Sequence, residues 1–144
     1  MATKKTSNAE KVFSDAELEA MQDAKIERKK GKKGDGLADL LAKIAELNDS
    51  DRAIAERLHA LVTENAPDLS PKTWYGMPAW ANKDGKVVCF LTPAGKFDSR
   101  YASFGFNDPA RLDDGSVWPT SYAVTKLTPA DEKMFAALLK KSVS

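Results

Sequence analysis

The chain has one cysteine and one histidine in 144 residues. A disulfide framework within the chain is therefore impossible, and so is a structural zinc site built from sulfur and imidazole. A Ser-His-Asp triad would have to use His59. Long apolar runs are missing as well. The longest, Val87-Val88-Cys89-Phe90-Leu91, has five residues, against the roughly 20 needed to cross a bilayer. The opening Met-Ala-Thr-Lys-Lys lacks the apolar segment of a secretory signal, so the expectation is a cytoplasmic chain with no membrane association. Neither sign of charge dominates: 22 cationic side chains face 21 anionic ones, a net +1. That balance supplies no global pull toward nucleic acid or anionic lipid. No fixed-period repeat, Gly-rich phosphate loop, paired-acid motif or Cys/His ligand spacing occurs.

What is present reads as one α+β domain behind an extension. Residues 1–36 form the extension. Ser14-Asp15-Ala16-Glu17 has the form of a capping box and opens a helix over about 15–30. Gly31-Lys32-Lys33-Gly34-Asp35-Gly36 reads as a flexible linker, and residues 1–12 are expected to lack order. Six cations stand against one anion between Lys25 and Lys33. Without interleaved aromatics they read as a solubilising stretch, not a nucleic-acid platform.

The domain proper spans 37–144. Leu37, Leu40, Leu41, Ile44 and Leu47 share one helical face. Asn48-Asp49-Ser50 breaks that helix and caps the next, whose stripe is Ile54, Leu58, Leu61 and Val62. After Pro71 the period becomes that of strands. Thr73-Trp74-Tyr75 and Pro78 to Ala81 flank a kink at Gly76-Met77, read as a bulge between paired strands. Asp84-Gly85 marks a hairpin turn that feeds the apolar run, read as a central strand covered on both faces. Ala102, Phe104 and Phe106 alternate with Tyr101 and Ser103. Trp118, Thr120, Tyr122 and Val124 form a last alternating strand. Thr128-Pro129 caps a final helix with Met134, Phe135, Leu138 and Leu139 inward. The expected architecture is a two-layer sandwich of helices on one antiparallel sheet of about five strands in meander order.

The stretch Ala66-Pro67-Asp68-Leu69…Trp74-Tyr75-Gly76-Met77-Pro78-Ala79-Trp80 is followed by a Gly-containing hairpin, an apolar strand and Lys96-Phe97. Over about residues 37–141 this resembles the YdhG-like family, a domain of unknown function grouped with frataxin-like proteins. At least one relative is regarded as an intracellular iron chaperone. The resemblance implies a frataxin-like fold and an iron-binding, chaperone-type role. It carries no set of iron ligands onto numbered positions, and it leaves residues 1–36 aside.

Ten of the twelve aromatic residues lie between Trp74 and Tyr122. Core packing is the commoner fate of such residues. The alternative is an open surface on the sheet face away from the helices, using Trp74, Tyr75, Trp80, Tyr101, Trp118 and Tyr122. Gly76, Met77, Pro78, Lys96 and Phe97 adjoin it, and Lys72, Lys96 and Arg100 are candidate anion receivers. Iron prefers oxygen ligands. Asp15, Glu19 and Asp23, spaced i, i+4, i+8 on one helix face, are its candidate site, against the plainer reading of a solvated stripe. Asp108, Asp113 and Asp114 read as turn formers, and Asp49 and Asp51 as helix-start charges. His59 falls on the flank of its helix stripe. Cys89, inside the apolar run, is expected to be an inert core thiol. These residues advertise no catalytic constellation. The expectation is a non-enzymatic binding protein, monomeric or weakly dimeric, that handles iron. The alternative is a small-ligand or partner-binding adaptor working through an aromatic sheet face without metal.

Overall fold

The computed structural model describes residues 16–22 and 36–144. Helix α1 covers 16–22. It is followed by α2 (Gly36–Ala45), α3 (Asp49–Asn65), β1 (Ser70–Trp74), β2 (Met77–Ala81), β3 (Val87–Thr92), β4 (Ala102–Phe106), β5 (Ser121–Val124) and α4 (Pro129–Ser142). The five strands form one antiparallel sheet in sequence order, β1-β2-β3-β4-β5, because every connection is a local turn or loop. The chain is thus α+β, with the strands in the expected meander. None of the helices among the described residues is long and apolar enough to cross a membrane.

Local chemistry fixes the ends of the elements. The Asn48 side chain accepts from Asp51 N–H at 2.9 Å and starts α3. Thr128 and Asp131 exchange side-chain and backbone bonds in a capping box, with Pro129 in the first turn of α4. Asp51 does more than decorate a helix start. It is 3 % exposed, and its carboxylate accepts from Ala94 N–H (3.2 Å) and Gly95 N–H (2.9 Å). The N-terminus of α3 therefore pins the loop that follows β3. At Gly95 a Cβ would collide with the Asn48 side chain.

Strand pairing sorts side chains onto two faces. Pro71, Trp80, Cys89 and Phe106 form one row across the sheet, and Thr73, Pro78, Leu91, Phe104 and Tyr122 another. This is the core face. Trp80, Cys89, Leu91 and Phe104 are all at most 1 % exposed, packed with Leu40, Ile44, Leu58, Val62, Phe135 and Leu139 from α2, α3 and α4. Full burial of side chains of this size is worth ~1.5–3 kcal/mol each. Arg57 of α3 and Glu132 of α4 bind through two contacts, 3.2 and 2.6 Å, tying those helices together.

Two helix stripes are narrower than their spacing predicts. Leu40 and Ile44 are buried in α2, but Leu37 and Leu41 are 43 % and 48 % exposed. In α4, Phe135 and Leu139 are buried while Met134 is exposed. A helix lying against one side of a single sheet buries a seam, not half its circumference.

Candidate functional site

The kink at Gly76-Met77 is a tight hairpin turn. Trp74 pairs with Met77, which leaves Tyr75 and Gly76 as a two-residue loop with φ of 51° and 77°. Positive φ at both positions is the type I′ turn that matches strand twist. Glycine meets that demand freely, whereas tyrosine takes a left-handed backbone at a cost of ~1–2 kcal/mol. The turn sets the Tyr75 ring, 44 % exposed, edge-on to Trp74 at 5.1 Å.

Trp74 belongs to the outer face, the one turned away from α2, α3 and α4. Two rows cross that face: Lys72, Ala79, Phe90, Gly105 and Ser121, then Trp74 and Met77, continued by Thr92, Ser103 and Ala123. The Thr92 hydroxyl donates to Met77 Sδ at 3.2 Å and joins the halves of the second row. Phe90 meets Trp74 edge-to-face at 5.0 Å. Its ring lies over Gly105, where a Cβ would stand 2.6 Å from Phe90 Cζ. Tyr75, Trp74 and Phe90 thus form a continuous, half-buried aromatic strip.

One end of the strip opens into a hollow of about 530 Å³. Trp74 and Val87 line its apolar side, Lys72, Gly85 and Lys86 border it, and Asn107, Asp108 and Pro109 complete it. Asn107 N–H donates to Val88 O at 2.9 Å, anchoring that border to β3. The Asp84-Gly85 turn forms the other border. Asn82 Oδ1 accepts from Asp84 N–H and Lys86 N–H at 3.0 Å each, and Gly85 takes φ of 80°. Among the described residues, neither the Lys72 nor the Lys86 ammonium is engaged in an ion pair. The hollow can accept an anionic group between two free cations and a flat apolar group against Trp74.

The site differs from the sequence expectation in several places. Trp80 is a core residue, 1 % exposed, on the opposite face from Trp74. Pro78 is buried on that same core face. Tyr122 also points to the core side, packed on Phe135 at 5.7 Å, and Trp118 packs half-buried against the core. Lys96, Phe97 and Tyr101 sit on the β3–β4 loop and do not line the hollow. Arg100 there covers the Tyr101 ring at 5.2 Å. Trp74, Tyr75, Gly76 and Met77 do come together. Phe90, read as part of a core run, was missed, as were Lys86 and Asn107. A β-bulge explains the first miss: pairing slips between Trp80 and Ala81 as β3 begins, so parity along 87–91 cannot be carried in from the hairpin turn. The second miss is one of distance, since Lys72, Lys86 and Asn107 meet only through strand pairing.

His59 and Cys89 are occupied structurally. Trp80 Nε1–H donates to His59 Nδ1 at 3.3 Å, and burial lowers the His59 pKa. The imidazole is a neutral acceptor holding the core tryptophan. Cys89 is fully buried, and burial pushes its thiol pKa far upward, the expected condition of an inert thiol. Among the described residues no three His, Cys, Asp or Glu side chains are grouped to hold a metal ion. Glu19 is exposed on α1, while Asp15 and Asp23 lie outside the described residues.

The chain matches no family model, no curated protein and no solved structure.

Proposed function

We propose that this chain is a binding protein that holds a small anion bearing a planar apolar group in the hollow on the outer sheet face. The reading includes its place among YdhG-like, frataxin-like proteins, on the strength of the Trp74-to-Trp80 segment. One observation carries it above the others. Lys72 and Lys86, both without an ion-pair partner among the described residues, border the hollow that Trp74 lines. Cations at an apolar wall favour a ligand that is charged at one end and flat at the other, because charge-assisted bonds fix its orientation and ring contact supplies burial. Asp108 at the border disfavours ligands with negative charge at both ends. Nothing in the hollow resembles a nucleophile paired with a base, so binding is the activity it supports.

The test is a thermal-shift and fluorescence titration of the full chain with phenyl phosphate, benzoate, inorganic phosphate and, separately and anaerobically, ferrous iron. A ligand at 100 times its dissociation constant adds ~2.7 kcal/mol of stability. The aryl anions should raise the melting temperature and change Trp74 emission. Lys72→Gln and Lys86→Gln should each weaken binding roughly tenfold, the lower range for a hydrogen bond to a charged group. If no aryl anion binds, or if these substitutions leave binding intact, the hollow is not the site. An iron response that survives both substitutions but disappears when Asp15, Glu19 and Asp23 are neutralised would move the function to that acidic face.

A further inference from the structure

The two edges of the sheet are treated differently by the chain. Along β1 the two-residue turn makes Trp74 and Met77 a bonded pair, so by alternation Pro71 and Thr73 direct their backbone groups outward. Pro71 has no N–H to offer. Its carbonyl is so closely approached by the start of α2 that a Cβ at Gly36 would collide with it. That edge is closed by proline and by a helix, two ordinary protections against pairing.

The β5 edge has neither. Phe106 N–H donates to Thr120 O at 2.7 Å, which sets the parity of the last ladder. Tyr122 and Val124 bond inward to Phe104 and Ala102, and Ser121 and Ala123 turn their N–H and C=O groups outward. Both residues are exposed, and neither has a backbone partner among the described residues. From Ser116 to Thr125 the chain carries no charge, so nothing along this edge repels another strand. Val117, just upstream, is 85 % exposed.

From these observations we infer that β5 is the self-association edge of the protein, pairing antiparallel with β5 of a second copy. Centred on Tyr122, the two-fold sets Ser121 opposite Ala123 of the second copy and Ala123 opposite its Ser121. Each pair exchanges both N–H···O bonds, Tyr122 stands opposite Tyr122 of the second copy across the axis, and the side chains that meet are all uncharged. A second copy is the occupant because this register satisfies the same residues on both sides, as a two-fold interface requires. Pro119, which lacks an N–H, ends the ladder after few residues. The buried area then falls at the small, transient end of protein interfaces, and the dimer is weak.

Sedimentation of the full chain decides it. The mass should rise from 15.7 kDa toward twice that value as concentration approaches the millimolar range. Over the same range, hydrogen exchange at the Ser121 and Ala123 amides should slow. Ala123→Pro removes an outward N–H and no bond to β4. Ala123→Lys places a charge on the edge and leaves the backbone intact, so it carries the test if the proline variant unfolds. Each should weaken association at least tenfold, with the lysine variant melting as the parent does. A chain that stays at 15.7 kDa throughout would overturn the inference. So would a dimer that persists in both variants.

Discussion

The two faces of this sheet use the same residue types to opposite ends. On the core face, Phe104 is wholly buried and meets Trp80, Phe106 and Phe135 at 5.1–6.5 Å. On the outer face, Trp74 meets Tyr75 at 5.1 Å and Phe90 at 5.0 Å, but the three lie outside the core formed with α2, α3 and α4, and all remain partly exposed. The geometry of ring against ring is the same. What differs is the surroundings: packed helix side chains on the core face, and on the outer face an open hollow that Trp74 lines and Lys72 and Lys86 border. An aromatic cluster holds a fold together only to the extent that it is covered, and left uncovered it becomes a surface.

The largest expected difference between the faces is therefore in stability. Phe104→Ala should cost ~3–5 kcal/mol, the usual toll of deleting a buried phenylalanine. Phe90→Ala should cost about 1–2 kcal/mol, since only part of its ring leaves water. Chemical denaturation with both variants checks this. Equal losses would mean that the outer strip is a second core and not a surface.

Thiol accessibility is the next probe of the core face. Cys89 has no exposed surface, and its thiolate is disfavoured by burial. Labelling of the native chain should trail that of the denatured chain by about 10³-fold or more, the opening population of a domain stable by ~5 kcal/mol. Equally fast labelling in both states would count against the central position of β3.

A double-mutant cycle sharpens the comparison on the outer face. A Cβ at Gly105 would lie 2.6 Å from Phe90 Cζ, so Gly105→Ala must push the ring aside at a cost of about 1 kcal/mol. In the Phe90→Ala background the three atoms nearest that methyl are gone, and the substitution should be neutral or stabilising. The coupling measures how firmly Phe90 is seated. Additive effects would mean that the ring is not held over Gly105.

These cases show what the residue order could and could not convey. Element types, caps and the meander were legible because each depends on neighbours in sequence: Asn48 capping Asp51, Thr128 with Asp131, the glycine of the 82–86 turn. The burial of Ile54, Leu58, Leu61 and Val62 was legible for the same reason, one helix period. The face assignments were less so. Trp80 and Phe90 are separated by the bulge that breaks parity, so the spacing leaves Trp80 open between core and surface and places Phe90 within a run that reads as covered on both faces. Lys72 and Lys86 come from different hairpins, and nothing along the chain announces that they border one hollow. The buried carboxylate of Asp51 was hidden in the same way, because its partners at Ala94 and Gly95 are more than forty residues away.

The smallest effect concerns the join between the core face and α3. His59 accepts from Trp80 Nε1–H, a role only its neutral form can fill, and burial lowers its pKa. The unfolded chain therefore takes up the proton first. Stability should be full above the unfolded value of ~6.5 and should decline as pH falls from there toward the lower folded value. Asp131 and Glu132 act in a separate window. Hydrogen bonds from Thr128 and Arg57 hold their pKa values below the usual carboxylate range, so their contribution is present above ~4 and is lost in more acid solution. With one histidine in the chain, denaturation midpoints between pH 7 and 5 isolate His59. His59→Gln keeps an oxygen acceptor for Trp80 and removes the titration, so its midpoint should vary less with pH than that of the parent. An unchanged slope would show that the decline belongs to other groups, and that the imidazole beside Trp80 is not the neutral acceptor that its geometry describes.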